Sequence, residues 1–114
     1  MTSNKVQPLN GLNFDAVVSQ AIVPVLVDFT AAWCGPCKLQ SVILDRLAET
    51  ADVLIAKVDV DESPDLASRF GVRGMPTLVA FQGGTEAGRR LGLTREQGIL
   101  ELLNGSSKAV VTRP

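Results

Sequence analysis

The sequence predicts an α/β protein, a mixed β-sheet covered by helices in the order βαβαβαββα. Three observations carry this. Ile22–Phe29, Val53–Val60 and Thr77–Phe81 are short apolar runs rich in β-branched residues, and the first two are almost continuously apolar, as strands buried on both faces are. Helical patterns lie between them, which makes strand, helix, strand a parallel crossover unit. Gly83-Gly84 then separates the third run from one ending near Leu91, the pattern of an antiparallel hairpin at the sheet edge.

Each element follows from local chemistry. Lys5 to Leu9 reads as an edge strand, because Pro8 has no N–H to give a central ladder. Phe14, Val17 and Val18, at i, i+3 and i+4, mark a first helix. From about Pro36 to Thr50 a second helix places Leu39, Ile43 and Leu47 at four-residue spacing with Val42 on the same side, while Lys38, Arg46 and Glu49 fall elsewhere. Ser63 and Pro64 are the N-cap and first-turn proline of a short third helix, Leu66 and Phe70 share its face, and Gly71 stops it. Thr94 with Gln97 three residues on has the form of a capping box, ahead of a final helix striped by Ile99, Leu100, Leu102 and Leu103. Gly98 weakens that helix by roughly 1 kcal/mol relative to Ala. Arg89 and Arg90 read as an edge-strand charge pair that discourages strand addition.

Composition narrows the chemistry. The 114 residues fit one domain, and with 46% apolar and 20% charged residues there is material for a packed core. Residues 1–104 are expected to form the domain and residues 105–114 a flexible C-terminal tail. A net charge of -1 offers no footprint for nucleic acid or an anionic membrane, so neither is expected as a partner. Met1 to Asn10 has one Lys and no signal-peptide core, and no segment approaches the roughly 18 apolar residues of a membrane span; the expectation is a cytoplasmic protein. With no histidine, imidazole bases, His metal ligands and Ser-His-Asp triads are excluded. In a reducing compartment two cysteines point to catalysis, redox sensing or metal rather than a permanent staple.

The chemistry concentrates at Trp33-Cys34-Gly35-Pro36-Cys37, after the first buried strand and at the mouth of the amphipathic helix. Cysteines three apart in a first helical turn have α-carbons roughly 5 to 6 Å apart, within reach of a disulfide. The first points its sulfur at unpaired backbone N–H groups and the positive end of the helix dipole, which favours thiolate over thiol. Cys34 is therefore the expected nucleophile, exposed beside Trp33, and Cys37, one turn deeper, the resolving thiol. A zinc or iron–sulfur site needs four ligands where the chain supplies two cysteines, so no metal is expected. Asp59, Asp61, Glu62 and Asp65 read as a solvated loop entering a capped helix rather than a cation site.

These residues resemble the thioredoxin family. Val27-Asp28-Phe29, Trp33-Cys34-Gly35-Pro36-Cys37-Lys38, Ala56-Lys57-Val58-Asp59, Gly71-Val72-Arg73-Gly74-Met75-Pro76-Thr77, Phe81 with Gly84, and Gly92 follow the family's order and spacing over about residues 5 to 104. The resemblance implies the thioredoxin fold, a central mixed sheet of four to five strands flanked by about four helices. It implies a protein-disulfide reductase with no bound cofactor, a redox-active Cys34–Cys37 disulfide, and electrons from NADPH or ferredoxin through a separate thioredoxin reductase. It further implies that Pro76 is cis beside the cysteines and that Met75 offers backbone hydrogen bonds to an extended substrate. Gly35-Pro36, rigid and uncharged, fits the reducing members. Two positions depart from the commonest pattern: Val42 stands where many members have a helix-kinking proline, and Thr30 where some carry a second tryptophan.

With no histidine, the proton of Cys37 needs another acceptor. Asp28 interrupts the most apolar strand, where desolvation raises a carboxyl's pKa and suits it to proton transfer near neutral pH. Lys57 interrupts the other buried strand, and neighbouring strands bring the two together; its ammonium opposes the shift, which leaves the net value open. The plainer reading makes Asp28 and Lys57 a structural buried ion pair.

The expectation is therefore a dithiol carrier, acting as a monomer on disulfide-containing proteins through a rim of Trp33, Met75, Pro76, Gly92 and Leu93. An oxidase or isomerase of the same fold is disfavoured by the lack of a histidine in the dipeptide and of an export signal. The alternative from another class is a binding module, a subunit or holdase whose rim docks a partner whatever the redox state.

Overall fold

A computed structural model of the chain describes residues 5–108, the last four by their backbone alone. Along them run β1 (Val6–Leu9), α1 (Phe14–Gln20), β2 (Val25–Thr30), α2 (Gly35–Thr50), β3 (Leu54–Asp59), α3 (Pro64–Arg69), β4 (Thr77–Gln82), β5 (Thr85–Leu91) and α4 (Glu96–Lys108). The strands form one sheet in the order β1-β3-β2-β4-β5. β3 is parallel to both β1 and β2, and β4 is antiparallel to β2 and β5. Pro8 stands on edge strand β1, where its missing N–H costs no central ladder bond.

Side chains alternate across the sheet and so divide the core into two layers. Val25, Val27 and Phe29 of β2 pack with Phe14 and Val18 of α1 and Leu66 of α3. Leu26 of the same strand packs with Leu44 and Leu47 of α2 and Ile99 and Leu102 of α4. Period two then puts Asp28 on the α2 side of the sheet, in register with Lys57 on β3 and Leu78 on β4.

Several local expectations change. The strand starts at Val25, not Ile22, which is 99% exposed ahead of the first ladder pair, Val25 with Leu54. The buried stripe of α2 is Cys37, Gln40, Leu44, Leu47 and Ala48, while Leu39 and Val42 face outward. Apolarity alone misaligned that stripe, because two of its members are a cysteine and an amide. α2 continues without interruption through Val42. Ser63 sits at the N-cap of α3, but its hydroxyl makes no cap bond. The capping box of α4 does not form: the Thr94 hydroxyl donates to the Gly92 carbonyl and the Gln97 amide to Glu101. Leu100 is exposed while Ile99 and Leu102 are buried. Gly83 and Gly84 turn the β4–β5 hairpin at φ of 60° and 83°, conformations that favour glycine at both positions. α4 runs through Lys108, past the Asn104 boundary expected for the domain, and residues 109–114 of the expected tail lie outside the described residues. Among the described residues no helix is long and apolar enough to cross a membrane.

Candidate active site

β2 ends at Thr30 and the chain turns through Ala31 to Trp33 before α2 begins at Gly35, so Cys34 falls on the N-cap. Its extended backbone (φ -88°, ψ 113°) turns Sγ back over the first turn, where it accepts the Cys37 N–H at 3.3 Å. Pro36 lies in the first turn, where its missing N–H leaves no intrahelical bond unmade. Cys34 and Cys37 are joined as a disulfide with α-carbons 5.3 Å apart.

The bonded pair is less open than expected. Cys34 is 5% exposed and Cys37 3%, and Ala31, Val60 and Met75 pack against them. What faces solvent is the rim: Trp33 is 68% exposed, and Gly35 and Pro36 are both exposed. A Cβ placed on Gly35 would meet nothing within 4 Å, so crowding inside the protein does not require glycine there.

The remaining residues expected in the rim come from the start of β4 and the end of β5: Leu93 is exposed, Met75 and Gly92 are half-buried, and Pro76 is buried. The Met75–Pro76 bond is cis, and the Met75 carbonyl oxygen lies 3.6 Å from Cys34 Sγ. The Pro76 carbonyl accepts the Gly92 N–H at 2.8 Å, which ties Gly92 and Leu93, just beyond β5, to the loop ahead of β4. Gly92 has φ of 93°, a left-handed conformation that strains any other residue.

Beneath α2, Asp28 is buried, and one of its carboxylate oxygens has no hydrogen-bond partner. Desolvation pushes its pKa up to about 7, and the Lys57 ammonium draws it the other way. A cavity of about 400 Å³ is lined by Cys37 and Lys57 together with Lys38, Ser41, Asp59 and Glu62; Asp28 is not part of its wall.

Two contacts escaped the sequence. Trp33 Nε1 donates to Asp61 Oδ2 at 2.9 Å, in the loop after β3. The signal was present, since parallel neighbours end at the same sheet edge and an indole N–H seeks an acceptor. Gln40 exchanges two hydrogen bonds with the backbone of Thr94, and its only trace in the sequence is an amide amid a buried stripe. The acidic loop behaves as a turn: Asp59 Oδ1 accepts the Asp61 and Glu62 N–H groups. Among the described residues no group of three or more Cys, Asp or Glu side chains is placed to hold a metal ion.

Comparison with known proteins agrees with this geometry. The thioredoxin family profile matches residues 5–105. A thioredoxin of Chlamydia caviae is 39% identical over 103 residues, 90% of this chain and 99% of that protein. One of Alicyclobacillus acidocaldarius is 45% identical over 86 residues, 74% of this chain and 81% of its own. Among solved structures, a mutant thioredoxin from Halobacterium salinarum matches with a TM-score of 0.85 at 36% identity, covering 100% of this chain and 98% of that one. Sequence, fold and redox pair point the same way, and the chain belongs to the thioredoxin family of thiol-disulfide oxidoreductases.

Proposed function

We propose that the protein is a dithiol electron carrier that reduces disulfides in partner proteins and is recharged by a separate thioredoxin reductase drawing on NADPH or ferredoxin. The observation that carries the reading is the disulfide at the start of α2, with Cys34 Sγ turned onto the Cys37 N–H. Once the pair is reduced, that N–H and the positive end of a 16-residue helix favour a thiolate at Cys34.

The thiolate attacks one sulfur of the target disulfide; a Cys34–target bond forms, the target S–S bond breaks, and one target thiolate leaves. Cys37 then gives up its proton and attacks Cys34 Sγ, which closes the Cys34–Cys37 disulfide and expels the second target thiolate. Two electrons have passed to the target. Asp28, desolvated to a pKa of about 7, takes the Cys37 proton through a bridging water, and Lys57, which lines a cavity together with Cys37, tunes it. Trp33, Met75, cis Pro76, Gly92 and Leu93 form the docking rim, and Gly35-Pro36 leaves room for a partner's backbone. Residues 1–104 constitute the working domain, with no role assigned to 105–114. A net charge of -1 and the small apolar rim suit a cytoplasmic monomer that meets protein disulfides rather than nucleic acid or membrane.

The test is insulin disulfide reduction driven by NADPH and a thioredoxin reductase. Catalytic turnover is expected, and none from the reduced, folded chain sinks the carrier reading. A double Cys34→Ser, Cys37→Ser variant that still rescues a disulfide-dependent process in cells favours the binding module instead.

A further inference from the structure

We propose that Gln40 is a positioning residue that clamps the Gly92–Leu93 part of the docking rim to the redox helix, and so sets affinity for protein disulfides without touching them; this rests on the reductase reading above. Gln40 lies three residues after Cys37, on the same buried face of α2, and is fully buried. Its amide donates from Nε2 to the Thr94 carbonyl at 2.9 Å and accepts the Thr94 N–H on Oε1 at 2.8 Å. Thr94 precedes α4, which begins at Glu96, and these two bonds satisfy both of its backbone polar groups.

The pairing demands this side chain. An amide presents a donor and an acceptor side by side without titrating, and asparagine is one methylene shorter. Leucine or methionine at this site leaves two buried backbone groups without partners, and glutamate keeps the acceptor while losing the donor.

From Thr94 the connection runs into the rim. The Thr94 hydroxyl donates to the Gly92 carbonyl, the Gly92 N–H donates to the Pro76 carbonyl, and the adjoining Met75 carbonyl lies beside Cys34 Sγ. The chain of contacts therefore begins and ends on α2, and Leu93 is carried between Gly92 and Thr94. A helix is stiffer than a loop, so the spacing between the sulfur pair and the rim is governed by α2 once Gln40 is engaged. A small disulfide needs only the sulfurs; a folded protein needs the rim placed correctly as well.

The test uses the full chain with Gln40→Met. Reduced protein is mixed with insulin over a range of concentrations and, separately, with hydroxyethyl disulfide, and amide hydrogen exchange is followed at Gly92 and Leu44. The expected result is a KM for insulin raised about five- to tenfold with kcat changed less than about twofold, and an unchanged rate on the small disulfide. The Gly92 amide should exchange at least about tenfold faster while Leu44, deep in α2, does not change. Equal loss on both disulfides, or an unchanged KM in a folded variant, overturns the proposal. If Gln40→Met does not fold, the same readings on Gln40→Asn, whose amide is one methylene too short to hold both Thr94 groups, decide, with an insulin-specific loss expected and an equal or absent loss overturning it. A wild-type chain that reduces neither disulfide sinks the reductase reading, and Gly92 exchange then decides the clamp alone.

Discussion

Asp28 lies opposite Lys57 across the parallel β2–β3 ladder, yet one of its carboxylate oxygens has no hydrogen-bond partner. Facing a neighbouring cation has not undone the effect of burial: the pKa stands at about 7 against an ordinary 3.8, with desolvation outweighing the attraction of Lys57. Ionisation therefore favours the unfolded chain. The penalty is absent below about pH 4, grows as pH rises, and is complete once pH passes about 7. Asp28→Asn should stabilise the oxidised protein at pH 8 by up to about 4 kcal/mol, an advantage that shrinks toward nothing near pH 4. Denaturant unfolding of both proteins at the two pH values checks this; a gain independent of pH contradicts the buried ionisation.

The same carboxyl sets the pH response of the reaction. Asp28→Asn is expected to slow release of the mixed disulfide about a hundredfold at pH 7, and rates unchanged from about pH 6 to 9 eliminate it as the proton acceptor. Lys57→Met removes the one attraction that lowers its pKa, so the midpoint of the rate profile should move alkaline by about one pH unit. Stopped-flow measurements across that range separate the two variants, and a stationary midpoint in Lys57→Met means that the titrating group is not Asp28.

Unequal roles for the two cysteines predict unequal variants. Cys37→Ser should accumulate a mixed disulfide between Cys34 and the target, visible by intact mass, because attack remains possible while resolution does not. Cys34→Ser should lower disulfide reduction by at least about a thousandfold and trap nothing. Trapping through Cys37 in the Cys34→Ser protein contradicts the assignment.

Gly98 offers a test of packing against helix propensity. Alanine in an exposed helix is favoured by about 1 kcal/mol over glycine. Here a Cβ would lie 2.8 Å from Thr94 Cγ2 and 3.3 Å from Arg90 Nη1. The arginine end can move aside, but Thr94 is buried and held by Gln40 through its backbone. Gly98→Ala should therefore lower stability by about 1 kcal/mol, net of the propensity gain. Thermal unfolding decides it, and a higher Tm would show that Thr94 yields.

Much of this protein is written locally in its sequence. The three apolar β-branched runs, the Gly83-Gly84 turn and the Cys-Gly-Pro-Cys start of α2 each state their conformation through nearest-neighbour sterics and backbone bonding, and a mixed sheet flanked by helices follows. So do the spacing of the cysteines and the conspicuous Asp28 in an apolar strand. Other features depend on what comes to rest alongside. Leu39 and Val42 are as apolar as Leu44, but the buried stripe of α2 was decided by α4, which packs on Leu44 and Leu47, and by Thr94, which claims Gln40. Thr94 and Gln97 spell a capping box, yet Thr94 is drawn away by partners 54 residues distant and only two residues distant. The pairing of Trp33 with Asp61, the near-complete cover of the disulfide and the balance of desolvation over Lys57 likewise arise between segments. Local sterics act through bonded neighbours and are legible in sequence; burial, electrostatic balance and long-range hydrogen bonding exist only once the chain has closed on itself.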